Sequence, residues 1–456
     1  MGDEFQERRR VLRRRRRAGR MARVMMYAVI AEAFLIPLSP LAAMAVLLLG
    51  CGAMLLRLRI DRSFHLRRLP YDAPALLFVI IGFLSVAVAQ DRAFSFYNFY
   101  HLVPIYALTY LLVGQTLRTP REFQRVVFAM ALSAGIVILY GFYQFIFGID
   151  ISSMKWVDGE MFPELSKRVF STWENPNILA GYLDIVICAA VGLLPVLSRT
   201  WRMAAMILLV AALMCLGMTY ARGACLVVAV VLAGYGALRD WRILVGLAVL
   251  GGGALFADPV LADRLLSVFT RVDTSSEMRL AFWESTVAMI LDHPFLGIGW
   301  GMYFMVYPEY DFYLQGADVL IVHAHNMYLN YAAEIGVVGA VSFLWFFFGT
   351  MGLAFFSKVH DSEGFRQGLM LAISLAFISV ALNGLTDDVL FNIPSSMLLW
   401  LLAALAAVTE FAGNEEDEAI VMDELAARKR QRLRELRQRA KKGGESPKNS
   451  GEESEN

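Results

Sequence analysis

Residues 326–356 read NMYLNYAAEIGVVGAVSFLWFFFGTMGLAFF. One acid, Glu334, and no Lys or Arg interrupt the run. At about 1.5 Å per residue a helix of this length reaches roughly 45 Å, beyond the roughly 30 Å hydrocarbon core of a bilayer. The stretch therefore predicts a membrane-spanning helix long enough to tilt or break. The rest of the chain agrees with that reading. Of its 456 residues 58% are hydrophobic and 18% charged, and mean hydropathy is +0.53. Length alone would predict about three soluble domains. A soluble chain, however, has about a quarter of its residues charged. Composition thus overrides length and predicts an all-α integral membrane protein.

A span needs about 20 mostly apolar residues. Twelve segments meet this pattern: 24–39, 40–56, 73–90, 96–117, 126–148, 176–197, 203–220, 223–238, 243–257, 326–356, 367–386 and 395–412. The expected organisation is a basic cytosolic tail at 1–23, a polytopic domain at 24–412 and a charged cytosolic tail at 413–456. The formal net charge of +1 hides a division by position. Residues 1–23 carry ten Arg against three acids. Alternate connections hold Arg57, Arg59, Arg62, Arg67 and Arg68, then Arg118, Arg121 and Arg125, then Arg199 and Arg202, Arg239 and Arg242, and Lys358 and Arg366. The positive-inside bias assigns those connections to the cytosol, and an even count puts both termini there. The intervening connections are poor in cations. Two are long, 149–175 and 257–324, and the second has nine acids against three Arg. Within it Thr274 and Glu277 fit a capping box, and Leu280, Trp283, Val287 and Ile290 follow at helical spacing, predicting an amphipathic extracytoplasmic helix that ends at Asp292-His293-Pro294. In the C-terminal tail, residues 428–442 carry nine Lys/Arg and one Glu. They suit either a helix on anionic lipid or a solvated tail.

Several function classes drop out. Cys51, Cys188, Cys215 and Cys225 lie in apolar runs without metal-type spacing, so they read as packing residues. No P-loop or dinucleotide fingerprint occurs, which disfavours nucleotide-driven chemistry and suggests no cofactor. The Arg run at 13–17 precedes a span, so it reads as a topology determinant and membrane-lipid contact, not a nucleic-acid site. The N-terminus lacks a small-residue cleavage site and reads as retained.

Cations on the outer side are informative because they are few. Arg168, Arg222 and Arg279 fall there, Arg222 in the tight turn TYARGA. A guanidinium held at that depth is costly unless it meets an anion, and the alternative is an Arg that snorkels to headgroups. His323 and His325 stand before the long span. A metal would need a third ligand, and none has suitable spacing nearby, so no metal is expected. His325 suits a general base, with a structural His as the alternative. Arg forks donate in pairs to diphosphate. A base beside a diphosphate leaving group is a layout for glycosyl transfer that needs no nucleotide outside the cell. Asp184, Glu334 and Asp387-Asp388 are further functional candidates inside or at the edge of spans, expected to pair with the outer Arg residues.

His325-Asn326, nine residues, Gly336, two residues and Gly339 fit the H-N-x9-G-x-x-G pattern of the O-antigen ligase family. Arg168 with Phe170 and Asn175-Pro176-Asn177, the TYARGA turn, and Arg279-x3-Trp283 followed by DHPFLGIGWG also resemble that family, over about 165–345. The resemblance implies a GT-C-like fold in the bacterial inner membrane. It implies an inverting, metal-independent transferase moving a glycan from undecaprenyl diphosphate to an acceptor hydroxyl such as lipid A core, another glycan or a lipid. It makes His325 the base and Arg168, Arg222 and Arg279 the diphosphate ligands, with Trp173, Glu174 and Asn177 shaping the donor pocket. The related polymerases, which join repeat units, are the near alternative. A secondary transporter of an anionic solute is disfavoured because no repeat between halves is evident.

Overall fold

The computed structural model describes residues 2–148, 168–257, 274–311, 321–357 and 364–411, with 262 and 359. The expected tail helix at 428–442 and parts of both long loops lie outside the described residues. Among the described residues there is no strand. The chain folds into α1 (Gly2–Leu35), α2 (Pro40–Ile60), α3 (Asp72–Ser85), α4 (Arg92–Thr116), α5 (Pro120–Phe147), α6 (Pro176–Leu193), α7 (Arg199–Met218), α8 (Arg222–Leu238), α9 (Arg242–Ala257), α10 (Thr274–Asp292), α11 (Met327–Phe355), α12 (Phe365–Asn383) and α13 (Ile393–Phe411). Each of the twelve sequence segments falls on one of these helices. Seven of the described helices are long and apolar enough to cross a membrane: α2, α5, α6 with the turn that follows it, α7, α11, α12 and α13. Three more, at Asp72–Val88, Arg222–Leu238 and Arg242–Ala257, are apolar but shorter.

α6 and α13 are central, 72% and 83% buried along their apolar windows, whereas α7 is 17% buried. α6 and α12 approach so closely that a Cβ at Gly192 would overlap the Ala372 backbone. Small residues permit such contacts where no solvent drives helices together. Trp400 of α13 stacks on Phe346 of α11 at 4.3 Å between centroids, and Phe78 and Tyr110 close round it.

The helices alternate between two ends. At one end, Arg67 donates to the Gly114 and Leu117 carbonyls, Arg202 to Leu194 and Leu197, and Arg366 to Thr409. These carbonyls close α4, the turn after α6, and α13. Cations there satisfy orphan acceptors and complement the negative helix terminus. At the other end lie the described loop residues 168–175, 219–221, 293–311, 321–326 and 384–392.

The long run that opened the sequence reading does break. Gly336, at φ 72° and ψ 172°, interrupts α11. An L side chain is strained at that φ, and a Cβ would overlap the Phe295 carbonyl. The break frees backbone for the segment 294–299. Ile298 N–H donates to Ala333 O at 2.9 Å, Gly299 N–H to Glu334 O at 3.0 Å, and Val337 N–H to Pro294 O at 2.8 Å. Gly297, at φ 69°, faces the same carbonyls with no room for a side chain. The motif glycine is thus the socket into which the DHPFLGIGWG segment docks.

α10 ends at Asp292 as the sequence predicts. Its buried side differs from the predicted stripe. Phe282, Ser285, Thr286 and Met289 are buried, while Leu280 and Val287 are exposed. In a membrane chain an apolar stripe marks a lipid-compatible face as readily as a packed one. The packed side meets Tyr303 and Tyr307 in a small core with Met302 and Ala324, and Thr286 Oγ1 lies 2.7 Å from Tyr303 Oη.

Candidate active site

Asn326 caps α11 by accepting from the Tyr328 and Leu329 N–H groups at 3.0 Å. Its amide donates to Leu385 O at 2.9 Å, and Met327 N–H donates to Gly384 O at 2.9 Å. The Asn of the motif therefore ties the start of α11 to the loop after α12. His325, one residue earlier, takes φ 49°. That backbone turns its ring onto Phe282, with 5.7 Å between centroids, and sets Nδ1 3.2 Å from Asp387 Oδ1. Trp283 Nε1 donates to the His325 carbonyl at 3.4 Å.

The arginines expected on the outer side reach the same end of the bundle. Arg168 Nε donates to Thr219 O at 2.8 Å and its Nη2 to Asn177 Oδ1 at 2.6 Å. Val169 N–H donates to Met218 O, so the Arg168 segment meets the residue just before the TYARGA turn. Arg222 opens α8, and a Cβ on the adjacent Gly223 would sit 3.5 Å from Thr386 Oγ1, next to Asp387. Arg279, half-buried on α10, lies near enough to bias His323 electrostatically. Trp173 is 5% exposed and stacks on Tyr182 at 4.7 Å, so its ring is packed. Glu174 is exposed. Among the described residues the non-glycine residues with positive φ are Ser171, Glu174, Tyr220 and His325. All four stand in the loops that carry Arg168, Arg222 and the base candidate. Such strain persists only where the surroundings enforce it, and it concentrates at functional sites.

The spanning and edge carboxylates have other partners than the expected arginines. Asp184 accepts from Asn383, and Glu334 accepts from Gly301 N–H at 3.1 Å. Asp387 faces two imidazoles, with His323 Nε2 at 3.6 Å and His325 Nδ1 at 3.2 Å. Burial acts to raise the Asp387 carboxyl, yet the two His rings hold it well below the ordinary carboxylate range. Burial, and then the Asp387 charge, push Asp388 up to about 7. Burial also lowers His323, the His325 and Arg279 charges add to that, and Asp387 pulls the other way. Asp387 is the group that sequence reasoning missed as a partner of His325, since 62 residues separate them. Its signal was an Asp-Asp pair between two apolar helices on the side expected to hold His325.

An ionised carboxylate only accepts, so it selects the tautomer with hydrogen on His325 Nδ1 and leaves the Nε2 lone pair available. The site thus combines an oriented imidazole with guanidinium-bearing loops. Residues 204–344 match the family model for O-antigen ligases. The matched stretch is similar to the O-antigen ligase domain. Arg222, Arg279 and His325 lie inside it, and Arg168, Trp173, Asn177 and Asp387 lie outside. No curated protein matches the chain. The match and the apolar helices indicate a membrane protein with a stretch similar to the O-antigen ligases.

Proposed function

We propose that the protein is a membrane glycosyltransferase that moves a glycan from undecaprenyl diphosphate to an acceptor hydroxyl on the extracytoplasmic face of the bacterial inner membrane. The observation that carries this reading is the His325–Asp387 pair beside the arginine loops. His325 Nε2 takes the proton of the acceptor hydroxyl. That oxygen attacks the anomeric carbon of the donor sugar, the bond from this carbon to the diphosphate oxygen breaks, and undecaprenyl diphosphate leaves with the electron pair. Attack opposite the leaving group inverts the anomeric centre. Arg168, Arg222 and Arg279 stabilise the charge that gathers on the diphosphate, the largest kind of contribution such a site makes. Asn177 orients Arg168, and Asp387 orients His325. The H-N-x9-G-x-x-G spacing favours ligation over polymerisation.

The test incubates purified protein with undecaprenyl-diphosphate glycan and candidate acceptors, including lipid A core, without metal or ATP. A single shift of one acceptor is the expected product. A ladder would make it a polymerase, and solute flux in vesicles without transfer would make it a transporter. His325→Ala is expected to abolish transfer while expression and folding persist. Retained transfer by that variant would sink the base assignment.

A further inference from the structure

His323 is not part of the H-N-x9-G-x-x-G pattern, and the transfer mechanism gives it no task. It is nevertheless built into the site. Its ring lies 4.2 Å from the His325 ring and 4.6 Å from Phe391, centroid to centroid. Both ring nitrogens are buried without a hydrogen-bond partner among the described residues. A buried imidazole with two unsatisfied nitrogens costs free energy and asks for an explanation. One nitrogen, Nε2, faces Asp387 Oδ1 at 3.6 Å, beyond hydrogen-bond range. His325 Nδ1 faces the same oxygen at 3.2 Å, and three donor atoms from these residues lie within 4.8 Å of one another.

We infer that His323, His325 and Asp387 form a binding site for a divalent transition-metal ion of the zinc type. Two imidazoles and one carboxylate are a common donor set for such ions. Zinc bonds of about 2.0–2.1 Å put tetrahedral ligand atoms about 3.3 Å apart, close to the 3.2 and 3.6 Å observed. Magnesium and calcium prefer oxygen donors, so this set discriminates against them. The ion takes the lone pair of His325 Nδ1 in the tautomer that carries the ring hydrogen on Nε2, so it replaces the hydrogen bond to Asp387 and shifts that hydrogen from Nδ1 to Nε2. With the ion on Nδ1 and the hydrogen on Nε2, the ring has no lone pair left to take the acceptor's proton. Metal binding therefore inhibits transfer. That consequence rests on the proposed function, whereas binding itself does not.

The experiment uses the full chain, tag-free in detergent and stripped of metal. Zn2+ is titrated by calorimetry into wild type and His323→Gln, with Mg2+ as control. Wild type is expected to bind one Zn2+ per chain, His323→Gln to bind it at least tenfold more weakly, and Mg2+ to give no comparable heat. Binding is expected to weaken as pH falls, because the imidazoles must be deprotonated. Equal zinc affinity in the variant, or no zinc binding by wild type, overturns the site. If His323→Gln proves misfolded by its melting curve, Co2+ decides in wild type alone. Tetrahedral visible bands support the site, and only the weak bands of hydrated Co2+ overturn it. Transfer assays form the second arm. Zinc is expected to inhibit wild type at the concentration where it binds, and a zinc-bound protein that transfers at full rate overturns the inhibition. Zinc binding in a protein that transfers no glycan at all would sink the ligase reading and leave the metal site standing.

Discussion

At the scale of single residues, the site depends on one oxygen. Asp387 Oδ1 faces both imidazoles, and that convergence keeps its carboxyl ionised far below the ordinary range. Replacing Asp387 by Asn keeps the shape and removes the charge, so nothing enforces the tautomer that frees Nε2. A general base contributes about 10²–10⁴ in rate. Asp387→Asn is therefore expected to lower kcat by on the order of 10² with little change in donor KM, measured in the transfer assay. Unchanged kcat would remove Asp387 from the mechanism. The same residues set a pH dependence of stability. His323 has a folded value below its ordinary one, so the unfolded chain takes up the proton first as pH falls. Its contribution is complete above about pH 6.5 and is lost below it. Asp387 is also depressed, and its contribution is lost only below about pH 4, where the unfolded carboxyl protonates first. Melting temperature in detergent is expected to decline from pH 7 to pH 5, and His323→Gln is expected to flatten that decline. An equally steep decline in the variant would assign it to other groups.

At the scale of elements, the break in α11 joins the parts of the site. Gly336 opens the helix, segment 294–299 docks on the freed carbonyls, and this anchors the C-terminal end of α10, a helix whose N-terminal half carries Arg279. Gly336→Ala meets both a strained φ, worth about 1–3 kcal/mol, and overlap with Phe295. The variant is expected to melt several degrees lower and to lose transfer, whereas Gly352→Ala, with open space around it, keeps both. Equal behaviour of the two variants would remove the docking role. This element also shows what was legible in the sequence. The length of the apolar run announced that it would tilt or break, and the structure puts the break at Gly336. The helical segments were legible because exclusion from water acts locally along a chain, although among the described residues only seven of the helices are long and apolar enough to cross a membrane. The packed side of α10 was not found, because apolar periodicity cannot tell a lipid-facing stripe from a buried one. The outer arginines and His325 were legible as unusual residues on a basic-poor side. The pairing of His325 with Asp387 was not, since only the meeting of two loops across 62 residues creates it.

At the scale of the whole molecule, charge and structure divide the bundle the same way. Arg67, Arg202 and Arg366 cap helix carbonyls at one end, and the strained loops with Arg168, Arg222 and His325 occupy the other. A site that works on a lipid-diphosphate donor without nucleotide belongs on the extracytoplasmic side, and arginine-rich connections belong in the cytosol. Orientation and function therefore stand or fall together. The native cysteines give a low labelling background, since Cys51, Cys188 and Cys215 are buried and Cys225 is half-buried. Glu174 and Thr200 are both exposed and lie at opposite ends of α6 with its turn. A membrane-impermeant maleimide, applied to cells with a permeabilised outer membrane, is expected to label Glu174→Cys directly and Thr200→Cys only after the inner membrane is opened. Labelling in the reverse order would put His325 and Asp387 in the cytosol. There the donor diphosphate would face nucleotide-dependent enzymes, and the reason for a nucleotide-free site would be lost.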